Sequence, residues 1–387
     1  MEALEERFLL NNHFQLPPVV TNLATTRPQV FSTVPTNGDV NPYGIVEISK
    51  DFRGKGLLQS GDILVSNFNN AQNLQGTGTT IDLITPDGHI STFFQGPAGL
   101  DAALGILKVG FVVVGNVPTA DGTSATVQAG SLSILDSNGK VVVTITDSKL
   151  LDGPWDLTIN DQGNFAQIFV SNVLSGTITR IDLRIHDGKP EILDKVQIAS
   201  GYAHRLDPAA LVVGPAGLAY DQATDTLYVA SSADNEIFAI RHAGTNFKDQ
   251  GKGQLTYKDD AHLHGPLGLA FLPNGDLIVA NSDAQNVDPN QPSELVEFTR
   301  TGKFVGQFSL DPNNGGAFNE RVFTQNGQLK LAAVDDNINS LKIWTLPQNA
   351  YNSGTHHMRA WSYDNDANLV YWLNDGAHGH PMKGPAI

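Results

Sequence analysis

The segment Gly-Pro-x-(Gly/Asp)-Leu occurs four times, at Gly96–Leu100, Gly153–Leu157, Gly214–Leu218 and Gly265–Leu269, and a looser copy, Asn41-Pro-Tyr-Gly-Ile45, precedes them. Successive starts lie 55, 57, 61 and 51 residues apart, and apolar runs broken by tight-turn residues follow each copy. One supersecondary unit repeated at such a spacing has to bury its apolar face against its neighbours, which restricts the chain to a repeat array.

Within each unit the pattern is that of a β-meander. A first strand follows the glycine-proline motif, as in Leu218-Ala-Tyr220 and Leu269-Ala-Phe-Leu272. Turns such as Pro273-Asn-Gly275 and Gln325-Asn-Gly327 supply the positive φ that tight hairpins need. The second strand is the most apolar, for example Phe111-Val-Val-Val114 and Leu227-Tyr-Val229, as suits a strand covered on both faces. An alternating third strand (Glu236-Ile-Phe-Ala-Ile240) and a fourth (Val141 to Thr146) complete the unit. The expected fold is therefore all-β: a six-bladed β-propeller of four-stranded antiparallel blades. The last unit, Phe318 to Leu346, supplies only three strands, so Gln29-Val-Phe-Ser-Thr-Val34 is expected to add the fourth and close the ring. This divides the chain into an N-terminal extension (1–28), the propeller (29–346) and a tail or extra hairpin (347–387), the hairpin alternative turning at Asp364-Asn-Asp366.

Composition removes whole classes of function. A net charge of −16 argues against a nucleic-acid or anionic-membrane surface. The absence of cysteine rules out disulfides, zinc ribbons and thiol catalysis. No apolar run is long enough to span a membrane. Met1–Leu10 is acidic where a leader would be basic, so the expectation is a periplasmic or secreted protein whose leader lies outside this chain, with a cytoplasmic protein as the alternative. Gly76-Thr-Gly-Thr-Thr80 lacks the P-loop lysine, and no nucleotide cofactor is expected.

The motif Gly214-Pro-Ala-Gly-Leu-Ala219 with Leu227-Tyr-Val-Ala-Ser231, and Gly265-Pro-Leu-Gly-Leu-Ala270 with Leu277-Ile-Val-Ala-Asn281, resembles the NHL-repeat family and, more loosely, the gluconolactonase-like propellers. The resemblance covers about residues 29–346 and implies the fold. Relatives of this shape include lyases, lactonases and protein-interaction modules. A gluconolactonase-like site would need a first-blade glutamate, for which Glu47 is the candidate, with Asn172, Asn281 and Asp335 as further ligands. The amidating-lyase relatives use channel histidines, for which His204 and His264 are the counterparts.

Long connections point to one functional face, because the second-to-third loops Asn69–Gly78, Pro118–Ala129 and Asp283–Ser293 all emerge there. Polar residues end the second strands on that face at one repeat position: Asn67, Asn116, Asn172, Ser231, Asn281 and Asp335. Such a ring either converges on the channel mouth to bind a ligand or satisfies turn backbone. His204 and His264 sit on neighbouring connections of the same face, and with Asp335 form a candidate set for one divalent ion (Zn, Mn or Ca) or for general-base catalysis. Trp155 and Asp156 replace the small residues of the other repeats and are candidate channel groups, with packing between blades as the alternative for the tryptophan. The function expected is a soluble propeller binding a small ligand or divalent ion at the channel mouth. A metal-assisted lyase or lactone hydrolase and a protein-interaction scaffold are the alternatives.

Overall fold

The computed structural model describes residues 18–281 and 294–347, together with the short strands Trp361–Tyr363 and Leu369–Tyr371. Six four-stranded antiparallel sheets form the blades of a six-bladed β-propeller. The first strands, which line the central channel, are Val40–Glu47, Leu100–Leu107, Pro154–Asp161, Pro215–Asp221, Pro266–Phe271 and Ala317–Gln325. The ring closes as expected. Gln29–Ser32 pairs antiparallel with Ser340–Thr345, with Gln29 opposite Ile343 and Ser32 opposite Ser340. This leaves the last blade with the strand order 29–32, 340–345, 328–335, 317–325.

The glycine-proline motif starts the inner strand rather than preceding it. Pro154, Pro215 and Pro266 each pair with the last residue of their second strand, and a bulge follows at once. A proline fits this first position because the ladder there does not need its missing N–H. The bulge brings backbones of adjacent blades together. A Cβ on Gly217 would lie 2.7 Å from Leu269 N, so this repeat glycine is required by close approach. Blade two differs: its Gly96-Pro97 copy lies ahead of the strand, and Leu100 takes the pairing position opposite Asn116.

Apolar clusters fill the spaces between blades. Phe169, Leu218, Leu227 and Phe238 pack between blades three and four, and Leu269, Leu277, Val279 and Phe298 between four and five. Hydroxyls near the ends of second strands link neighbouring blades: Ser66 Oγ accepts from Gly44 N (2.8 Å) and donates to Asp101 O of the next blade, and Ser232 Oγ donates to Pro266 O. The short helical turn Val20–Leu23 covers blades five and six, with Val20 N donating to buried Glu297 Oε2 at 2.9 Å. Trp361–Tyr363 and Leu369–Tyr371 pair antiparallel as a hairpin. Among the described residues no helix is long and apolar enough to cross a membrane.

Candidate functional site

Strand polarity gives the channel two unlike ends. At the end where the long connections emerge, the inner strands carry Tyr43, Trp155, Leu267 and Phe318, all buried. Their rings form one aromatic cluster with Phe68: Tyr43 lies 4.6 Å from Phe318, and Trp155 meets Tyr43 and Phe68 edge-on at 5.5 and 5.3 Å. The connection 201–213, which carries His204, folds into a hairpin, Arg205–Asp207 paired with Leu211–Val213, which buries Leu211 and Val212 against the aromatic cluster. Gln75, from the long connection of blade one, donates to Ala209 O at the hairpin tip (2.8 Å). Only about 50 Å³ remains beneath this cover. The face expected to carry the site is thus closed over the channel.

The polar ring at the ends of the second strands does not open onto that mouth, since none of its six residues lines the remaining cavity. Side chains alternate along a strand, and the channel is met by the residues that follow, Phe68, Val117 and Val173. The ring residues instead bind their own connections. Asn67 donates to Asp82 (2.7 Å), Asn116 accepts from Ser131, and Asn172 reaches Leu150 O, Thr177 and Thr179. Ser231 donates to Asp234, Asn281 accepts from His264 N (3.0 Å) and donates to His262 O (2.9 Å), and Asp335 is ion-paired with Lys342 at 2.6 Å. Satisfying turn backbone and neighbouring side chains is what these groups do here.

The histidines are likewise engaged locally. His204 is exposed and its Nδ1 bonds Tyr202 O (3.0 Å), while His264 Nε2 bonds Asp260 O (3.1 Å). His262 stacks on Phe304 and bonds Asp259 (2.6 Å). Among the described residues no three His, Asp or Glu side chains gather into a group that could hold a metal ion, so His204, His264 and Asp335 are not assembled as one. The connection Asp283–Ser293 lies outside the described residues.

Below the aromatic plug the first strands carry three buried acids. Asp101, Asp156 and Glu320 are each 3 % exposed or less, and they stand on blades two, three and six. Asp156 occupies the place of the repeat glycine; its carboxylate accepts from Leu157 N (2.7 Å). Burial pushes its pKa up to about 7, against the opposing charge of Arg321 and the amides of Leu157 and Leu218. Burial also lifts Asp101 well above the usual carboxyl range, opposed by the Ala103 amide, with the charge of Asp156 adding to the rise. Glu320 is raised in the same way, with Arg321 opposing and Asp156 adding. Neither oxygen of Glu320 has a hydrogen-bond partner, and Asp101 Oδ2 has none. Glycine makes room for this arrangement, since a Cβ on Gly268 would collide with Glu320 Oε2 and lie 3.0 Å from Asn319 Oδ1.

At its other end the channel is open. A cavity of about 100 Å³ is walled by the lower halves of all six first strands, among them Leu104, Leu157, Leu218 and Leu269, with Arg321 and Glu47 supplying charge. Arg321 Nε donates to Ile45 O (2.9 Å), which fixes the guanidinium between blades six and one. Asp156 and Glu320 directly precede the wall residues Leu157 and Arg321, and Asp101 lies shortly before Leu104. Sequence reading reached Asp156 and missed Asp101, Glu320 and Arg321. Glu320 takes the position held by leucine or isoleucine in every other blade, and that break in the repeat was the available signal.

No family model matches the chain, and no curated protein matches it in sequence. Among solved structures, regucalcin, a calcium-binding protein from Agrobacterium tumefaciens, is 11 % identical over 81 % of this chain and 96 % of its own, with a TM-score of 0.50. A luciferin-regenerating enzyme is 11 % identical (82 % and 95 % covered, TM-score 0.48). A proposed gluconolactonase is 14 % identical (86 % and 94 % covered, TM-score 0.46). At these identities the likeness concerns the fold alone.

Proposed function

We propose that the chain is a binding propeller whose ligand occupies the open end of the channel, against the layer formed by Asp101, Asp156, Glu320 and Arg321. The observation that carries this is Glu320: a fully buried carboxyl group with no partner on either oxygen, directly preceding the cavity-wall residue Arg321. An unsatisfied buried carboxyl costs on the order of 1–3 kcal/mol even when neutral, and groups of this kind collect at functional sites. The chemistry that would relieve it is a small organic molecule with an apolar body for the leucine walls and one hydrogen-bonding head, a hydroxyl or an ammonium. Of the residues singled out from the sequence, Asp156 and Trp155 keep a place, the first in the acid layer and the second in the plug above it. A divalent ion fits the layer poorly, since the acids do not converge as ligands and Arg321 stands among them.

Isothermal titration of wild type and Glu320→Gln with n-butylammonium, with a lactone such as glucono-δ-lactone and with CaCl2 tests the proposal. Heat from an organic probe in the wild type and its loss in the variant is the expected result. Silence from both organic probes overturns it, and a calcium signal lost in Glu320→Gln replaces the organic ligand with an ion.

One observation favours a second reading, hydrolysis of a lactone. The carboxyl of Asp156, titrating at about 7, is available as a general base near neutral pH. Glu320, whose carboxyl burial pushes well above its ordinary range, can donate to the oxygen on which charge develops. Lactone hydrolysis followed in a pH-stat should then rise with pH through about 7 and disappear in Asp156→Asn. A rate indistinguishable between the two proteins ends this reading and leaves binding untouched.

A further inference from the structure

We propose a second binding site, outside the channel, for a neutral sugar residue: the cleft between blades three and four on the open face, with Phe247 as its stacking platform. The cleft measures about 550 Å³ and lies between the turns of the two blades and the connection that follows Arg241. Its volume falls within the range of small-ligand sites, roughly 300–1,000 Å³.

Phe247 is 65 % exposed, an unusual position for a phenylalanine at the tip of a polar connection. Isolated exposed apolar residues are common and need no function. This ring differs in being held. One of its faces covers the guanidinium of Arg180, 4.7 Å from the ring centre. Arg180 is itself fully buried, paired with Asp182 (3.0 Å), and it donates to Ala243 O (3.0 Å) and Asn246 O (2.9 Å). A buried, planar, multiply bonded cation thus fixes the connection and holds the exposed Phe247 ring at the cleft before any ligand arrives. Preorganisation of this kind removes an ordering cost from binding.

The polar lining narrows the ligand class. Asp182 neutralises Arg180, and Asp225 is saturated by Tyr220 Oη (2.9 Å), Gly244 N (2.6 Å) and Thr245 Oγ1 (2.7 Å). A charged ligand therefore meets no uncommitted counter-charge among these groups. What remains uncommitted is amide. Gln162 and Gln222 stand exposed on the rim with no side-chain hydrogen bond among the described residues. Deeper in, Asn160 is 2 % exposed; its Nδ2 donates to Gln167 Oε1 (3.0 Å) while Oδ1 has no partner. Gln167 is tied in turn to Asp182 Oδ1 (3.1 Å) and Gly244 O (2.7 Å). Primary amides offer a donor and an acceptor side by side, the complement of two neighbouring hydroxyls. A ligand with a flat C–H face for the ring and paired hydroxyls for the amides is a pyranose. A purely apolar ligand would strand the amides, and an acid or amine would leave its own charge desolvated.

The test is titration of the full chain, by calorimetry, with cellohexaose, maltohexaose, laminarihexaose, xylohexaose and chitohexaose, and with the hexamer of galacturonic acid as the acidic comparison. At least one neutral oligosaccharide should bind. Phe247→Ala should weaken that binding about tenfold or more, with Phe247→Trp retaining it, because stacking area rather than chain fold is lost. Gln222→Ala should weaken it severalfold, and Glu320→Gln should leave it unchanged, which separates this site from the channel. The proposal is overturned if no neutral oligosaccharide binds at about 10 mM, if only the acidic hexamer binds, or if Phe247→Ala binds as well as wild type.

Discussion

The two ends of the channel are built from the same six strands and differ in what was added to them. At one end the additions are long: the connection after blade one's second strand and the hairpin at 205–213 fold inward and, joined through Gln75 and Ala209, seal the bore above Tyr43, Trp155 and Phe318. At the other, most first-to-second turns are short, and a larger cavity remains between the lower halves of the strands around Arg321. Long loops thus mark the closed end. The extra chain has been spent on core, and the place where polar groups remain unsatisfied is the wall of the plain end.

This contrast is broken most severely by removing the plug. Trp155 is 3 % exposed and meets both Tyr43 and Phe68, so Trp155→Ala should cost about 3–5 kcal/mol. Urea denaturation measures it. If the plug is structural, the variant binds channel ligands as wild type does once folded; a variant of normal stability would mean that the tryptophan is a ligand contact and not core.

The next effect has the opposite sign and belongs to the acid layer. Carboxyl groups whose values are raised in the folded protein stabilise it fully below their unfolded values, and that contribution is lost as pH rises through the folded value. For Asp156 the window runs from the ordinary carboxyl range to about 7, and for Asp101 and Glu320 it likewise opens at the ordinary carboxyl range and reaches well above it. Glu320→Gln should therefore be nearly neutral at about pH 5 and stabilising, on the order of 1–3 kcal/mol, at about pH 8. Thermal melts of both proteins across that interval check it. A variant less stable than wild type at the alkaline end would show that the charged form of Glu320 is favourably held, and the layer would lose its character as a strained site.

How much of this was legible in the sequence follows from what repeats and what does not. Periodicity dictated the blades, and the shortfall of one strand in the last unit pointed to closure by residues 29–34, because an unpaired edge is costly. The ring of Asn67, Asn116, Asn172, Ser231, Asn281 and Asp335 was also visible, yet its direction was not: a one-residue change of phase turns every side chain to the other side, and bulges reset that phase in each first strand. Glu320 breaks the leucine or isoleucine position of the other blades, but the bulge before it obscures that alignment in the sequence, and Asp101 lies inside the bulge of blade two. Phe247 lay in a polar stretch between two blade-four strands, where nothing in the spacing distinguishes a held ring from a loose one; the buried Arg180 that holds it comes from another blade.

A moderate loss tests the ring itself. Asn281 carries two backbone partners at 3.0 and 2.9 Å, so Asn281→Ala strands a buried amide and carbonyl at a cost of about 1–3 kcal/mol. Chemical denaturation reads it, and channel binding should not change. A binding defect without a stability defect would restore the ring as a ligand surface.

The smallest effect asks whether the closed end is closed at equilibrium. Gln75→Ala removes the single bond described between the blade-one connection and the hairpin tip, worth about 0.5–1.5 kcal/mol net. Global stability should scarcely move, because Leu211 and Val212 remain buried among the aromatic rings. Local opening should respond instead. Regions held by few contacts open with free energies well below that of global unfolding, so amide exchange at residues 205–213 should quicken by about threefold to tenfold while the inner strands keep their protection. Exchange that quickens equally throughout would mean that the hairpin opens only when the propeller does. The plug would then be part of the fold's cooperative core, and the two ends would differ in shape but not in stability.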